Sequence, residues 1–254
     1  MKRFGTTLLA IVTLGLASAA AWAAPGDGLA GTAHDFSGKA ASGGFTTGVC
    51  TFCHTPHKAL STPLLWNHTL STATFSWDVP TTTAGTTFPT FKGDTYKGPT
   101  AKCLSCHDGS VAIGDIAWFG EATRTGVDGL DAMKHTWPGP FNVGATGGAL
   151  GNMAGNHPVA MPYPYNNLAN TYNGVTTGSA ATLSEWQATP LSPVRVFNDD
   201  GTGNISGGAV AAKTGIECSS CHDPHNKAAV DDLFLRGTVG GNTTAYLCLK
   251  CHIK

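Results

Sequence analysis

A cysteine, two intervening residues, a second cysteine and a histidine directly after it place two thiols and an imidazole within five positions. Such a pentad can form thioethers to the two vinyl groups of one haem while the histidine reaches the iron. The pattern occurs at Cys50-Thr51-Phe52-Cys53-His54, Cys103-Leu104-Ser105-Cys106-His107, Cys218-Ser219-Ser220-Cys221-His222 and Cys248-Leu249-Lys250-Cys251-His252. Together these use all eight cysteines, so none is left for a disulfide. A zinc ribbon or a disulfide framework would also use paired cysteines, but neither calls for a histidine after every pair. The reading is four covalently bound haem c groups, with His54, His107, His222 and His252 as proximal iron ligands.

The opposite face of each iron needs a second ligand. Six histidines remain: His34, His57, His68, His135, His157 and His225. Three methionines lie beyond the first residue, Met133, Met153 and Met161. Methionine opposite histidine raises the reduction potential, so this supply of histidine favours low-potential, bis-histidine haems. His57 and His225 each follow a proximal histidine by three residues, in the extended form CxxCHxPH. That tether spans at most about 10 Å, and the haem on the proximal histidine blocks return to its own far face. A ligand at either position must therefore serve a neighbouring haem, with Pro56 and Pro224 stiffening the connection. His68 follows Trp66-Asn67, whose indole could lie against a porphyrin edge. His157 sits in a constrained Asn156-His157-Pro158 loop, and Asp35 could orient His34. His57, His225, His68, His157 and His34 are the distal candidates; His135 reads as a solvated loop histidine and the methionines as gap fillers.

The elements that must position these groups are sparse. Charged residues make up only 12%, while 33 Gly and 14 Pro interrupt the chain, a composition ill-suited to an ordinary side-chain core. The expected fold is irregular and loop-rich, with short helical turns at the attachment sites, few hairpins, and stacked haems as the core. Residues 1–23 read as a secretory signal peptide: Lys2 and Arg3, an apolar run from Leu8 to Ala21, and an Ala21-Trp22-Ala23 cleavage site. Residues 24–254 then form one tetrahaem domain with no membrane span. Sites one and three share the extended motif and sites two and four the plain CLxCH or CLKCH form, an internal repeat. It suggests two-haem units at about 45–110 and 215–254, joined by a loop-rich segment. Residues 71–100, Thr-rich with Pro80, Pro89 and Pro99, read as a wrapping loop. The prolines from Pro158 to Pro164 forbid a continuous helix, and Val194–Phe197 reads as a strand running into a turn at Asn198–Gly201.

The order of these motifs, His-Asp-Phe-Ser, CTFCHTPH, Leu-Trp-Asn-His, CLSCHDG, Asn-His-Pro-Val, CSSCHDPH and a terminal CLKCH, resembles the doubled-CxxCH multihaem cytochromes. More narrowly it is similar to the OmcE-type tetrahaem outer-surface cytochromes, whose subunits polymerise into extracellular filaments. The resemblance implies bis-histidine haems running end to end, a head-to-tail homopolymer, and one distal histidine supplied in trans, for which His34 is the candidate. Other cytochromes or extracellular acceptors would be electron partners.

These readings converge on an exported protein, periplasmic or at the cell surface, that transfers electrons over long range as a filament subunit. A monomeric periplasmic shuttle is the alternative. A multihaem reductase is disfavoured, since catalysis needs an open iron position and histidines are plentiful enough to fill every one. The formal charge of −1 and the lack of a basic patch give no reason to expect nucleic acid.

Overall fold

The computed structural model describes residues 24–37, 40–41, 45–46, 48–57, 59–60, 63–77, 87–111, 116–118, 121–124, 143–177, 185–231, 233–240 and 245–253. The signal-peptide reading of 1–23, together with Met133 and His135, lies outside the described residues. Among the described residues, no helix is long and apolar enough to cross a membrane.

Regular structure is short and strung along the chain. Strands β1 (Ala40–Ala41) and β2 (Phe45–Thr46) pair antiparallel ahead of the four-residue helix α1 (Gly48–Thr51), which leads into the first attachment site. The stretch expected to wrap as a loop contains a hairpin, β3 (Thr74–Phe75) against β4 (Phe91–Lys92), and then the nine-residue helix α2 (Pro99–His107). Pro99 opens α2, where its missing N–H costs no hydrogen bond and its fixed φ suits the first turn. Two further hairpins follow, β5 (Ile116–Trp118) with β6 (Glu121–Arg124), and, beyond β7 (Met161–Pro162), β8 (Thr171–Tyr172) with β9 (Val175–Thr176).

The largest sheet is antiparallel and ordered β11 (Ile205–Gly207), β10 (Phe197–Asp199), β12 (Thr214–Ile216), β7. β12 runs directly into helix α3 (Cys218–Cys221), so the sheet aims the third attachment site. The β10 strand begins at Phe197 and not at Val194, because residues before it serve as tethers: Arg195 N–H donates to the Ser220 carbonyl at 3.3 Å. The following turn is built on Asp200, whose carboxylate accepts from Thr202 and Asn204.

Two clusters of protein side chains add to the expected haem core. Phe75, Phe91 and Tyr96 pack with Ala101 and Leu104 of α2 and with Met153, Val159 and Ala160. Met161, Tyr163 and Ile216 form the second. These residues come from separate loops, which is why no local hydrophobic period announced them. Gly215 is required by this packing: a Cβ there would lie 2.3 Å from the Tyr172 ring and 2.6 Å from the Met161 carbonyl. Gly215→Ala is expected to cost roughly 1–3 kcal/mol as an overpacked core position, read as a lower melting temperature with the haem content unchanged.

Candidate haem-binding site

Each attachment site is a single helical turn. The His54, His222 and His252 N–H groups donate to the carbonyls of Cys50, Cys218 and Cys248 at 2.9, 3.0 and 2.9 Å, and the second site lies within α2. Positions i, i+3 and i+4 of such a turn share one face, which brings both thiols and the imidazole to the same side. The second ring nitrogen is also committed. His54 Nδ1 lies 2.7 Å from the Leu64 carbonyl and His222 Nδ1 lies 2.8 Å from that of Leu233. A carbonyl only accepts, so Nδ1 carries the proton and Nε2 keeps its lone pair for a metal, the arrangement usual for ligating histidines. The residues fit covalent haem.

The distal candidates fall into two groups. Three stand beside proximal histidines of other motifs. The His225 ring is 6.3 Å from that of His54 and nearly parallel to it, at 20°. His34 is 6.1 Å from His107, and His157 is 6.5 Å from His252. His157 Nδ1 contacts the Pro158 carbonyl at 2.8 Å, again leaving Nε2 outward. His68 and His57 are placed differently. His68 is buried, with Nδ1 2.9 Å from the Thr69 carbonyl, while His57 is exposed; neither it nor His222 makes a ring contact with another histidine among the described residues.

The position of His34 corrects two expectations. Asp35 does not orient it; that carboxylate is engaged by Ser37 and by the Gly31 N–H. His34 instead hydrogen-bonds the Pro224 backbone and stacks on Phe234 at 4.7 Å. Nor does it project from a free segment toward another subunit. Asn226 clamps the N-terminal stretch, donating to the Ala24 and Gly28 carbonyls at 3.0 and 2.9 Å and accepting from the Gly26 N–H. Burial, reinforced by the nearby His107, pushes its imidazole down to about 4, so it is neutral and has a lone pair at neutral pH. Met153 and Met161 are buried in the side-chain clusters.

The four sites adjoin in sequence order. Trp66 Nε1–H donates to Ser105 Oγ at 3.2 Å, linking site one to α2, and its indole meets the His54 ring edge-on. Helices α2 and α3 pack together with the Cys103 and Cys218 thiols in hydrogen-bonding contact. Site four joins site three through Arg236, whose N–H donates to the Cys221 carbonyl, and through Gly237 packed on Lys250. Trp186 tilts over His252 at 4.2 Å. This tryptophan was invisible as a site residue, since nothing in its local sequence marks it.

Three buried charged side chains support the third site. Glu217, fully buried, accepts from the hydroxyls of Tyr96, Tyr172 and Thr100 and from the Thr100 N–H. Burial pushes its carboxyl up, against the downward pull of these donors. It also caps α3 in a reciprocal box with Ser220. Arg236 pairs with Asp223 at 3.3 Å, both nearly inaccessible.

Residues 210–254 match the profile of a family described as "Doubled CXXCH motif". This stretch binds c-type haem covalently. The match takes in sites three and four and supports a multihaem c-type cytochrome active in electron transfer. No curated protein matches the chain.

Proposed function

We propose that the chain is an exported tetrahaem c-type cytochrome that carries electrons from haem to haem, as a subunit of an extracellular head-to-tail filament. The observation that carries the tetrahaem reading is the spacing of the three histidine pairs. Ring centroids 6.1–6.5 Å apart are what two imidazoles flanking one metal ion require at nitrogen–metal bonds of about 2 Å. His54 with His225, His107 with His34, and His252 with His157 would hold three haems between them. Among the described residues His222 is the proximal histidine with no such partner, and here the exposed His57 of an adjoining subunit completes the set.

Bound haem supplies one-electron chemistry, each transfer oxidising one Fe(II) to Fe(III) as the next Fe(III) becomes Fe(II). The chain holds the attachment turns side by side, fixes the tautomers of His54 and His222, and closes the iron positions against substrate. It is an electron carrier and not an enzyme. A non-closing contact between identical subunits gives a filament. Support for that part comes from the resemblance in motif order to filament-forming tetrahaem cytochromes.

The test has two stages. Intact mass of the purified holoprotein should exceed the polypeptide by four haems, with a wholly low-spin ferric spectrum. Electron cryo-microscopy of material sheared from the producing cells should then show filaments with continuous haem stacks. A monomer confined to the periplasm would leave the haem reading standing and replace the filament with a soluble shuttle; a high-spin iron in the native protein would point to an enzyme.

A further inference from the structure

The junction between sites two and three is constructed differently from the other junctions. Sites one and two are linked through a tryptophan on a loop, and sites three and four through backbone contacts. Between two and three stands a single carboxylate. Tyr96 reaches it from the β4–α2 connection, Thr100 from the first turn of α2, and Tyr172 from β8. Thr100 Oγ1 also accepts from the Cys218 N–H at 3.2 Å, so one threonine bridges the start of α2 to the start of α3. Glu217 is itself the residue before Cys218 and caps α3. Three side chains from separate elements thus meet at one carboxylate, one residue from the haem-bearing Cys218 and beside its contact with Cys103.

A carboxylate buried at this depth is costly unless its lone pairs are filled, and four donors fill them here. Capping a four-residue helix would require only Ser220 and an N-cap acceptor. The two tyrosines and the contact from α2 are additional, and they hold the two helices in one relative position.

We propose that Glu217 is a positioning residue for electron transfer, setting the distance and orientation between the haems of sites two and three. The proposal rests on the tetrahaem reading above. Because it acts through the two helices, its signature is in the coupling of two chromophores. Neighbouring haems couple excitonically in the Soret band, and the resulting circular-dichroism couplet depends steeply on their separation and mutual angle.

The experiment compares Soret circular dichroism of the holoprotein with that of Glu217→Ala and Glu217→Gln, with haem per chain measured by intact mass. Glu217→Ala is expected to retain four low-spin haems and lose the part of the couplet due to the two–three pair. Glu217→Gln keeps an oxygen for the tyrosines but loses the acceptor for Thr100, and should fall between. Gly151→Ala is the control: a Cβ there would lie 2.1 Å from the Thr74 carbonyl, straining the fold at a different place. It should lower the melting temperature and leave the couplet intact. A Glu217→Ala protein with four haems and an unchanged couplet overturns the proposal, as does an equal loss in the control. Where Glu217→Ala matures without its haems, Tyr172→Phe and Thr100→Val decide. Each removes one hydroxyl donor and should weaken the couplet in the same direction at full haem content, and no change in either overturns the proposal. A native protein with fewer than four haems strikes instead at the tetrahaem reading.

Discussion

Replacing His225 with alanine is expected to turn one haem in four high-spin, and that haem is the one attached at site one, not the one attached beside the mutation. His225 belongs by sequence to the third motif, yet its ring faces His54 at 6.3 Å. With haem bound there as proposed, removing it would strip the sixth ligand from the site-one iron and leave His222 in place. Loss of the strong-field imidazole should produce a high-spin ferric signal of one-quarter intensity. It should also raise that haem's potential by part of the ~0.8 V range over which axial ligands set haem potentials. Added imidazole should refill the position and restore the low-spin spectrum, which a general loss of folding would not allow. The covalent haem count should remain four, since attachment depends on the cysteines. A fully low-spin His225→Ala protein carrying four haems would show that His54 has another partner. The parallel substitution His157→Ala should act in the same way on the site-four iron, because His157 faces His252.

The second large effect concerns stability. Asp223→Ala should destabilise the holoprotein by about 3–5 kcal/mol, the cost of leaving a buried cation without its partner. Arg236 and Asp223 have side-chain exposures of 1% and 4%, so solvent offers the guanidinium little compensation. Its Nη1 is already buried without a hydrogen-bond partner, which leaves no spare acceptor for the charge. Asp223 further accepts from the N–H groups of His225, Lys227 and Ala228. Burial works to raise its carboxyl, but the Ala228 N–H, Arg236 and the other backbone donors hold it below the usual range. Thermal unfolding followed by far-ultraviolet circular dichroism should fall by on the order of 10 °C. Asp223→Asn, which keeps an acceptor oxygen but not the charge, should lose less. A shift of under about 1 kcal/mol for Asp223→Ala would mean that Arg236 finds another counter-charge, and the size of the loss therefore measures how far this ion pair anchors the loop that presents His225.

Much of the attachment chemistry was legible because it is local. Two thiols and a proximal imidazole lie within five residues, and a single helical turn from hydrogen bonds such as His222 N–H to Cys218 carbonyl is enough to align them. Proline density from Pro158 to Pro164 correctly excluded a helix, since a missing N–H acts at its own position; the segment holds β7, and a 3₁₀ turn follows only at Tyr165–Asn167. A strand-to-turn transition near residue 200 could be read from the Asn-Asp-Asp-Gly run. Its start could not, because Arg195 is drawn away to Ser220 by a contact between distant segments.

The sequence by itself thus marked the four attachment motifs and the histidines expected to be proximal, and carried the argument that His57 and His225 would serve neighbouring irons. Only the tertiary structure decided which histidine faces which. It brought His225 to His54 and His157 to His252, and it drew His34 back into its own chain through the Asn226 clamp. It also decided that residues 71–100 contribute Phe75, Phe91 and Tyr96 to a side-chain core, and that Tyr96 meets a carboxylate 121 positions away. The physical reason is range. Covalent attachment and turn formation depend on neighbours along the chain, whereas axial pairing, burial and the filling of a buried carboxylate's lone pairs depend on groups that meet only when loops without periodic pattern close around one another.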